Sequence, residues 1–144
     1  MTNQPSRTLL GFDYGRKRIG VAVGQEITST ARGLTTLTTT QAGPDWDAID
    51  KLVKEWQPEL IVVGMPSNMD DRPHKLHDEI TNFGNQLAQR YNLPVEWIDE
   101  KLSSMEAEQQ LSASKKTKKR KQDKAQIDKL AAQVILQSYL NTNL

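Results

Sequence analysis

The stretch LLGFDYGRKRIGVAVG, residues Leu9 to Gly24, joins two apolar runs through a short, highly charged turn. Asp13 ends the first run, and Gly15 and three cations follow it at once. This pattern predicts a hairpin of two strands, Thr8 to Phe12 and Arg18 to Gly24. A charge at the end of a buried strand is costly unless a partner, often a metal ion, compensates it. Asp13 is therefore the first candidate functional residue.

The second strand of this hairpin alternates between bulky and small residues. Because alternate residues of a strand project to opposite faces, one face is bulky and the other admits close approach of another backbone. We expect an element to pack tightly on the small face. The two sets are Ile19, Val21 and Val23 on the bulky face, and Gly20, Ala22 and Gly24 on the small face.

Length and composition limit the class of protein. The chain has 144 residues, a net charge of +1 and no cysteine. This length suits a single domain, residues 1–144, with one core, and the lack of cysteine excludes a disulfide framework and a thiolate zinc site. The sequence shows no secretory signal, and its apolar runs are too short to span a bilayer. We therefore expect a cytoplasmic protein with no membrane partner.

Hydrophobic periodicity along the rest of the chain predicts strands alternating with helices. A weaker third strand lies in GLTTLTTT, a helix follows Pro44, and ELIVVG reads as a strand buried on both faces. A long helix then precedes the strand VEWID, and a capping box at Ser103 and Glu106 opens a short helix. The final helix runs from about Gln122 to Leu140. This order predicts an α/β fold.

Acidic residues fall at the ends of two predicted strands. Asp13 ends the first strand, and Asp99 and Glu100 end the strand VEWID. Ligands of open α/β sheets gather outside such strand ends, although an aspartate before a glycine is also typical of an ordinary turn. Because adjacent strand residues face opposite sides, the pattern leaves open whether Asp99 or Glu100 joins Asp13.

Asp128 is a further candidate, in the final helix. If the face that carries Asp128 packs on the small face of the second strand, this acid comes close to Asp13. Its alternative role is that of a helix N-cap or of a first-turn acid that interacts with the helix dipole. Clustered carboxylates repel each other unless protonated or bridged by cations, and oxygen ligands suit Mg²⁺ or Mn²⁺. The residues that share its helical face are Ala131, Ala132, Ile135 and Tyr139.

Four motifs, in chain order, resemble those of the YqgF family: GFDYGRKRIGVAVG, IVVGMPSNMD, IDEKLSSMEAEQQL and IDKLAAQVILQSYL. Members of this family are described as pre-16S rRNA nucleases and as Holliday junction resolvase-like proteins. The resemblance spans the chain from Leu9 to Leu140. It implies an RNase H-like fold, with a mixed five-stranded sheet flanked by helices, in a bacterial cytoplasm.

The resemblance also implies the catalytic residues. Asp13 matches the first-strand metal ligand of the family, Glu100 matches the glutamate of its Asp-Glu-Arg-Leu-Thr motif, and Asp128 matches the aspartate that opens its last helix. These three acids would hold Mg²⁺ or Mn²⁺, as two ions in the two-metal arrangement of many nucleases. Two residues depart from the family pattern. Lys101 stands where arginine is frequent and lacks its bidentate phosphate fork, and Asp71 stands where glycine commonly follows NMD.

Cations and loop residues around these acids are candidate contacts for substrate phosphates. The hairpin turn is either an exposed tip or a phosphate-binding turn. The basic loop at about 112–124 is either a solvated charge run or a phosphate-contacting arm. Asn68, in PSNMD, is either a turn former or a substrate contact, and the family match places its loop near the site. The candidate substrate-binding residues are Gly15, Arg16, Lys17, Arg18, Asn68, Lys101, Lys118, Lys119, Arg120 and Lys121.

The expected function is cleavage of precursor 16S rRNA at its 5′ end, and the alternative nuclease activity is resolution of four-way DNA junctions. Two other classes stay open. The aspartate-x-glycine hairpin also resembles the first phosphate loop of actin-like and sugar-kinase-like ATPases, although those proteins close two such domains around the nucleotide. A non-catalytic protein that docks on RNA through the basic arm is the other class.

Other residues are interpreted as structural. His74 and His77 are spaced so that both could face one metal, but they lie among polar residues at a helix start, which favours a solvated face. Four aromatic residues fit helical core stripes better than a base-stacking platform. They are Trp46, Trp56, Phe83 and Tyr91.

Neutralising Lys118, Lys119, Arg120 and Lys121 is predicted to weaken nucleic-acid binding and to flatten its salt dependence, because fewer counterions are released on binding. Each lost phosphate contact lowers the slope of log K against log salt concentration by about 0.7 to 0.9. Binding titrations at several salt concentrations measure this slope. An unchanged slope would contradict the role of the arm.

Overall fold

The computed structural model describes residues 7–65, 74–99 and 124–143. Within these ranges, no helix combines the length and the hydrophobicity needed to cross a membrane. The elements are β1 (Thr8–Asp13), β2 (Arg18–Gln25), β3 (Thr30–Thr40), β4 (Gly43–Pro44), α1 (Trp46–Trp56), β5 (Leu60–Met65), α2 (His74–Tyr91), β6 (Val95–Asp99) and α3 (Lys124–Asn143).

The strands form one mixed sheet in the order β4-β3-β2-β1-β5-β6. β1, β2 and β3 are joined in antiparallel pairs, whereas β5 pairs in parallel with both β1 and β6. Because β1, β5 and β6 run in the same direction, their carboxyl ends lie at one edge of the sheet. This is the edge at which ligands of open α/β sheets gather.

The two faces of the sheet bury different kinds of side chain. The bulky face of β2 packs with α1 and α2 into an apolar cluster that includes Ile49 and Leu87. The opposite face packs on α3, and its cluster contains Ala22 together with Leu136 and Leu140. The predicted division of β2 into a bulky face and a small face is therefore confirmed.

Glycines allow α3 to lie close to the sheet. A Cβ atom added at Gly20 would overlap the carbonyl oxygen of Asp128, and one added at Gly11 would lie 2.9 Å from the Cβ atom of Leu136. Ala132 packs in the same cluster. The predicted close approach of the final helix to the small face is confirmed, and it depends on the missing side chains at these two positions.

Side chains of α3 also cover the free edge of β3. The Oε1 atom of Gln133 accepts the N–H of Gly33 at 2.9 Å, and the Oε1 atom of Gln137 accepts the N–H of Ala31 at 3.0 Å. β4 pairs only with the last two residues of β3, so these bonds satisfy backbone donors that the sheet leaves open. They fix the rotation of α3 about its own axis, and with it the direction in which its other side chains point.

The aromatic residues lie in the core on the α1–α2 face, as predicted. Phe83 is buried, and its ring centroid lies 5.6 Å from that of Phe12. Trp46, Trp56 and Tyr91 are partly buried and pack against the same cluster. These aromatic residues therefore pack α1 and α2 against the sheet.

The predicted five-stranded sheet is wrong by one short strand. Gly43 and Pro44 form β4, which pairs with the end of β3. Pro44 therefore belongs to a strand and does not open the first helix. Asp45 caps α1 instead, because its carboxylate accepts the N–H of Ala48 at 3.2 Å. A strand of two residues is too short to show a hydrophobic period, so the sequence pattern could not reveal it.

Gly20→Ala is predicted to destabilise the protein by about 1 to 3 kcal/mol, because the new methyl group meets a backbone carbonyl that cannot move without shifting α3. Denaturant unfolding measures the loss. Gly33→Ala is the matched control, since its methyl group would lie 3.1 Å from the Lys129 carbonyl oxygen, a distance that a small shift relieves. Equal losses in the two variants would contradict the tight packing at Gly20.

Candidate functional site

Asp13 stands at the carboxyl end of β1 and faces α3. It pairs directly with Gly20 of β2. Directly opposed residues of an antiparallel pair project to the same face, and the face of Gly20 is the one that meets α3. The rest of β1 agrees, because Leu9 packs in the α3 cluster and Phe12 packs in the opposite one. The half-buried acid thus points toward the final helix.

Asp128 lies in the first turns of α3, directly above β2. Its backbone carbonyl fills the space that a side chain at position 20 would need. Gly20 is therefore the common neighbour of both acids: it pairs with Asp13 within the sheet, and it contacts Asp128 between the layers. Backbone packing thus places two of the three predicted acids next to the same residue.

Arg18 neutralises Asp128. Its Nε atom donates a hydrogen bond to Oδ2 of Asp128 at 2.6 Å, across a partly buried ion pair. Arg18 opens β2, two residues before Gly20, so both project to the α3 face. The sequence predicted Arg18 as a phosphate contact, and its ion pair with Asp128 was not predicted. The signal was present, since Arg18 extends the small face of β2 toward the predicted position of Asp128.

The turn between β1 and β2 is held in place by β3. Thr39 donates its N–H to the carbonyl of Lys17 at 2.9 Å and its hydroxyl to the carbonyl of Gly15 at 3.4 Å. A Cβ atom at Gly15 would lie 2.6 Å from the Arg18 carbonyl oxygen, so the turn is too tight for a larger residue. Lys17 is exposed, and so is Arg16, whose Nε atom bonds Glu79 of α2 at 3.0 Å.

Tyr14, next to Asp13 in the chain, belongs to the other face of the sheet. Its ring lies 5.1 Å from that of Phe83. Burial, reinforced by the Glu79 carboxylate, raises the pKa of the Tyr14 hydroxyl above its ordinary value. The tyrosine therefore stays neutral at physiological pH and adds no negative charge beside Asp13.

The end of β6 brings a further strand to the same edge. Ile98 packs in the α3 cluster, on the face of Asp13 and Asp128. Trp97 packs on the opposite side, where its ring closes against Gly84 of α2. Within residues 7–65, 74–99 and 124–143, no group of three or more His, Cys, Asp or Glu side chains is placed to hold a metal ion.

Several predicted residues lie outside the described residues. They include the third predicted acid, the loop asparagine and the cations of the basic arm, as well as the capping box. These residues are Glu100, Asn68, Lys101, Lys118, Lys119, Arg120, Lys121, Ser103 and Glu106.

Comparison with known proteins gives a family and curated relatives. A family model described as "RuvX: Holliday junction resolvase" matches residues 7–142. A "Putative pre-16S rRNA nuclease" of Nitrosococcus oceani is 46% identical over 134 residues, which cover 93% of this chain and 86% of that protein. A protein of the same name from Aeromonas hydrophila is 43% identical over 135 residues, covering 94% of this chain and 95% of that protein.

Solved structures of resolvases share the fold. RuvC of T. thermophilus in complex with a Holliday junction substrate has a TM-score of 0.55 at 18% identity, with 94% of each chain covered. The yeast mitochondrial Holliday junction resolvase Ydc2 has a TM-score of 0.51 at 10% identity, covering 92% of this chain and 77% of that one. At such identities the likeness concerns the fold alone, and it confirms the predicted RNase H-like fold. The extent of the family match shows that this chain belongs to the RuvX family, which is the YqgF family that its motifs resemble.

Proposed function

We propose that this protein is a divalent-metal-dependent nuclease that processes the 5′ end of precursor 16S rRNA. The observation that carries the proposal is the placement of Asp13 and Asp128 on one face of the sheet, both next to Gly20. Backbone packing sets this placement, and it does not depend on a bound ligand. The names of the relatives at 46% and 43% identity support the substrate.

The donor set suits a hard divalent cation. Two neighbouring carboxylates repel each other, and a bridging cation relieves that repulsion. Mg²⁺ and Mn²⁺ prefer carboxylate oxygens, and the chain offers these at the site in place of thiolate sulfur. Asp13 and Asp128 would hold the metal, with Glu100 as third ligand. When bound, two such ions activate a water molecule and stabilise the leaving oxygen of a phosphodiester.

We propose Glu100 and not Asp99 as the third ligand because Glu100 matches the glutamate of the family motif. Ile98 packs on the α3 face and Trp97 on the α2 face. Residues two apart in a strand share a face. This alternation continues up to the sheet edge that carries Asp13, where β6 ends at Asp99.

The cations around the acids suit the phosphates of a nucleic acid. Lys17 and Arg16 are exposed on the turn that follows Asp13. The pair of Arg16 with Glu79 is exposed, and an exposed ion pair contributes little, so a phosphate can replace Glu79 as the partner. Lys101 and the basic arm would extend this contact along the substrate. These cations are proposed to position the sugar-phosphate backbone of the nucleic acid and not to read its base sequence.

Asp13→Asn is predicted to lower cleavage of precursor 16S rRNA by at least about 100-fold, because the amide keeps the shape of the carboxylate but loses the charge that holds a metal. The assay compares purified variant and wild type on 16S rRNA that carries its 5′ leader, with Mg²⁺ or Mn²⁺. Product lengths on a sequencing gel report the cleavage site.

Glu55→Gln is the matched control for this experiment. Glu55 is exposed on α1, which covers the other face of the sheet, so its loss removes the same charge away from the site. We expect its cleavage rate to equal that of the wild type. Equal rates for wild type and Asp13→Asn would contradict a catalytic role for Asp13.

Resolution of four-way DNA junctions is the second candidate, and the description of the matching family model favours it. The same acids would serve, since RNA and DNA share the phosphodiester. A junction substrate in the same assay separates the two candidates. Cleavage of the junction in preference to the rRNA would replace the proposed substrate, and cleavage of neither by folded protein would favour a non-catalytic nucleic-acid-binding role.

A further inference from the structure

We propose that Arg18 is the resident counterion of Asp128 and that a divalent cation must displace it in order to bind there. The proposal rests on the proposed function, since it takes Asp128 as a metal ligand. It assigns Arg18 a positioning role at the metal site that precedes any contact with substrate.

The contact itself is short and charged. Nε of Arg18 lies 2.6 Å from Oδ2 of Asp128, and hydrogen bonds between ions of opposite charge are about twice as strong as neutral ones. The positive charge of the guanidinium at this carboxylate also repels an approaching divalent cation. The arginine and the cation therefore compete for the same carboxylate.

The backbone fixes where these two side chains meet. Arg18 and Gly20 are on the same face of β2, and the lack of a side chain at Gly20 lets the first turns of α3 rest on that strand. Asp128 is thereby brought within reach of Arg18. The contact between the Gly20 and Asp128 backbones cannot rearrange without shifting α3. A conformational change at this site is therefore a movement of side chains.

The charges explain why the pair forms and why a cation breaks it. Without a metal, Arg18 neutralises one of two neighbouring acids and so reduces their repulsion. A divalent cation attracts both Asp13 and Asp128 and repels the guanidinium. The Arg18 side chain is 35% exposed, so it has access to water when it leaves.

Displacement of Arg18 would couple metal binding to substrate binding. Through Nε, the arginine cannot hold Asp128 and a substrate phosphate at the same time. Thr38, the partner of Arg18 on β3, is exposed, so the released side chain lies at the surface beside the site. Once the cation has taken its place, the whole guanidinium fork of Arg18, Nε included, becomes available to a phosphate.

Arg18→Gln is predicted to bind Mn²⁺ about threefold more tightly than the wild type, because a partly exposed ion pair no longer has to be broken. Isothermal titration of the purified full chain with Mn²⁺ measures the affinity. Arg32→Gln is the matched control, since Arg32 stacks over the Trp56 ring at 5.5 Å on the opposite face of the sheet. We expect the affinity of this control to equal that of the wild type.

A measurement on the unmodified chain keeps the proposal testable if the variant fails to fold. The ¹H–¹⁵N resonance of the Arg18 Nε–H is expected to shift on titration with Mg²⁺, following the same isotherm as metal binding. An unshifted resonance at saturating Mg²⁺, or an equal or weaker Mn²⁺ affinity in Arg18→Gln, would overturn the proposal. Mn²⁺ binding that Asp13→Asn leaves unchanged would instead overturn the proposed metal site itself.

Discussion

The contact between the backbone of α3 and the face of β2 at Gly20 is the constraint on which the site depends. The carbonyl of Asp128 fills the volume of an absent side chain, so helix and strand touch through their main chains. A main-chain contact has few ways to relax, in contrast to a contact between flexible side chains. It therefore determines where the first turns of α3 lie and brings Asp128 to the strand end that carries Asp13.

The two faces of the sheet are packed in different ways. Against α1 and α2, the bulky face of β2 and the aromatic residues build an ordinary apolar core, with Phe83 at its centre. Against α3, glycine and alanine reduce the thickness of the layer, and Gln133 and Gln137 bind the edge of β3. The first face buries aromatic and branched side chains, and the second holds the ion pair of Arg18 and Asp128. Acids on such a face need counterions, and Arg18 is the one that the described residues supply to Asp128.

Much of this arrangement could be predicted from the sequence, for physical reasons. The alternation of Gly20, Ala22 and Gly24 with bulky residues predicted a close-packed helix, because side-chain volume limits how near two backbones can come. What could not be predicted was local, since β4 is too short to carry a hydrophobic period. Alternation along β2 places Arg18 on the face of Gly20, but the distance at which Arg18 meets Asp128 needed the tertiary structure.

A crystal structure of the wild-type chain grown with Mn²⁺, with data collected at the manganese absorption edge, tests the central claim most directly. The account predicts an anomalous peak within coordination distance of carboxylate oxygens from both Asp13 and Asp128, at about 2.0 to 2.3 Å. It also predicts that Arg18 no longer contacts Asp128 in that crystal. A peak bound elsewhere, with the pair of Arg18 and Asp128 intact, would contradict the assignment of these acids to a metal site.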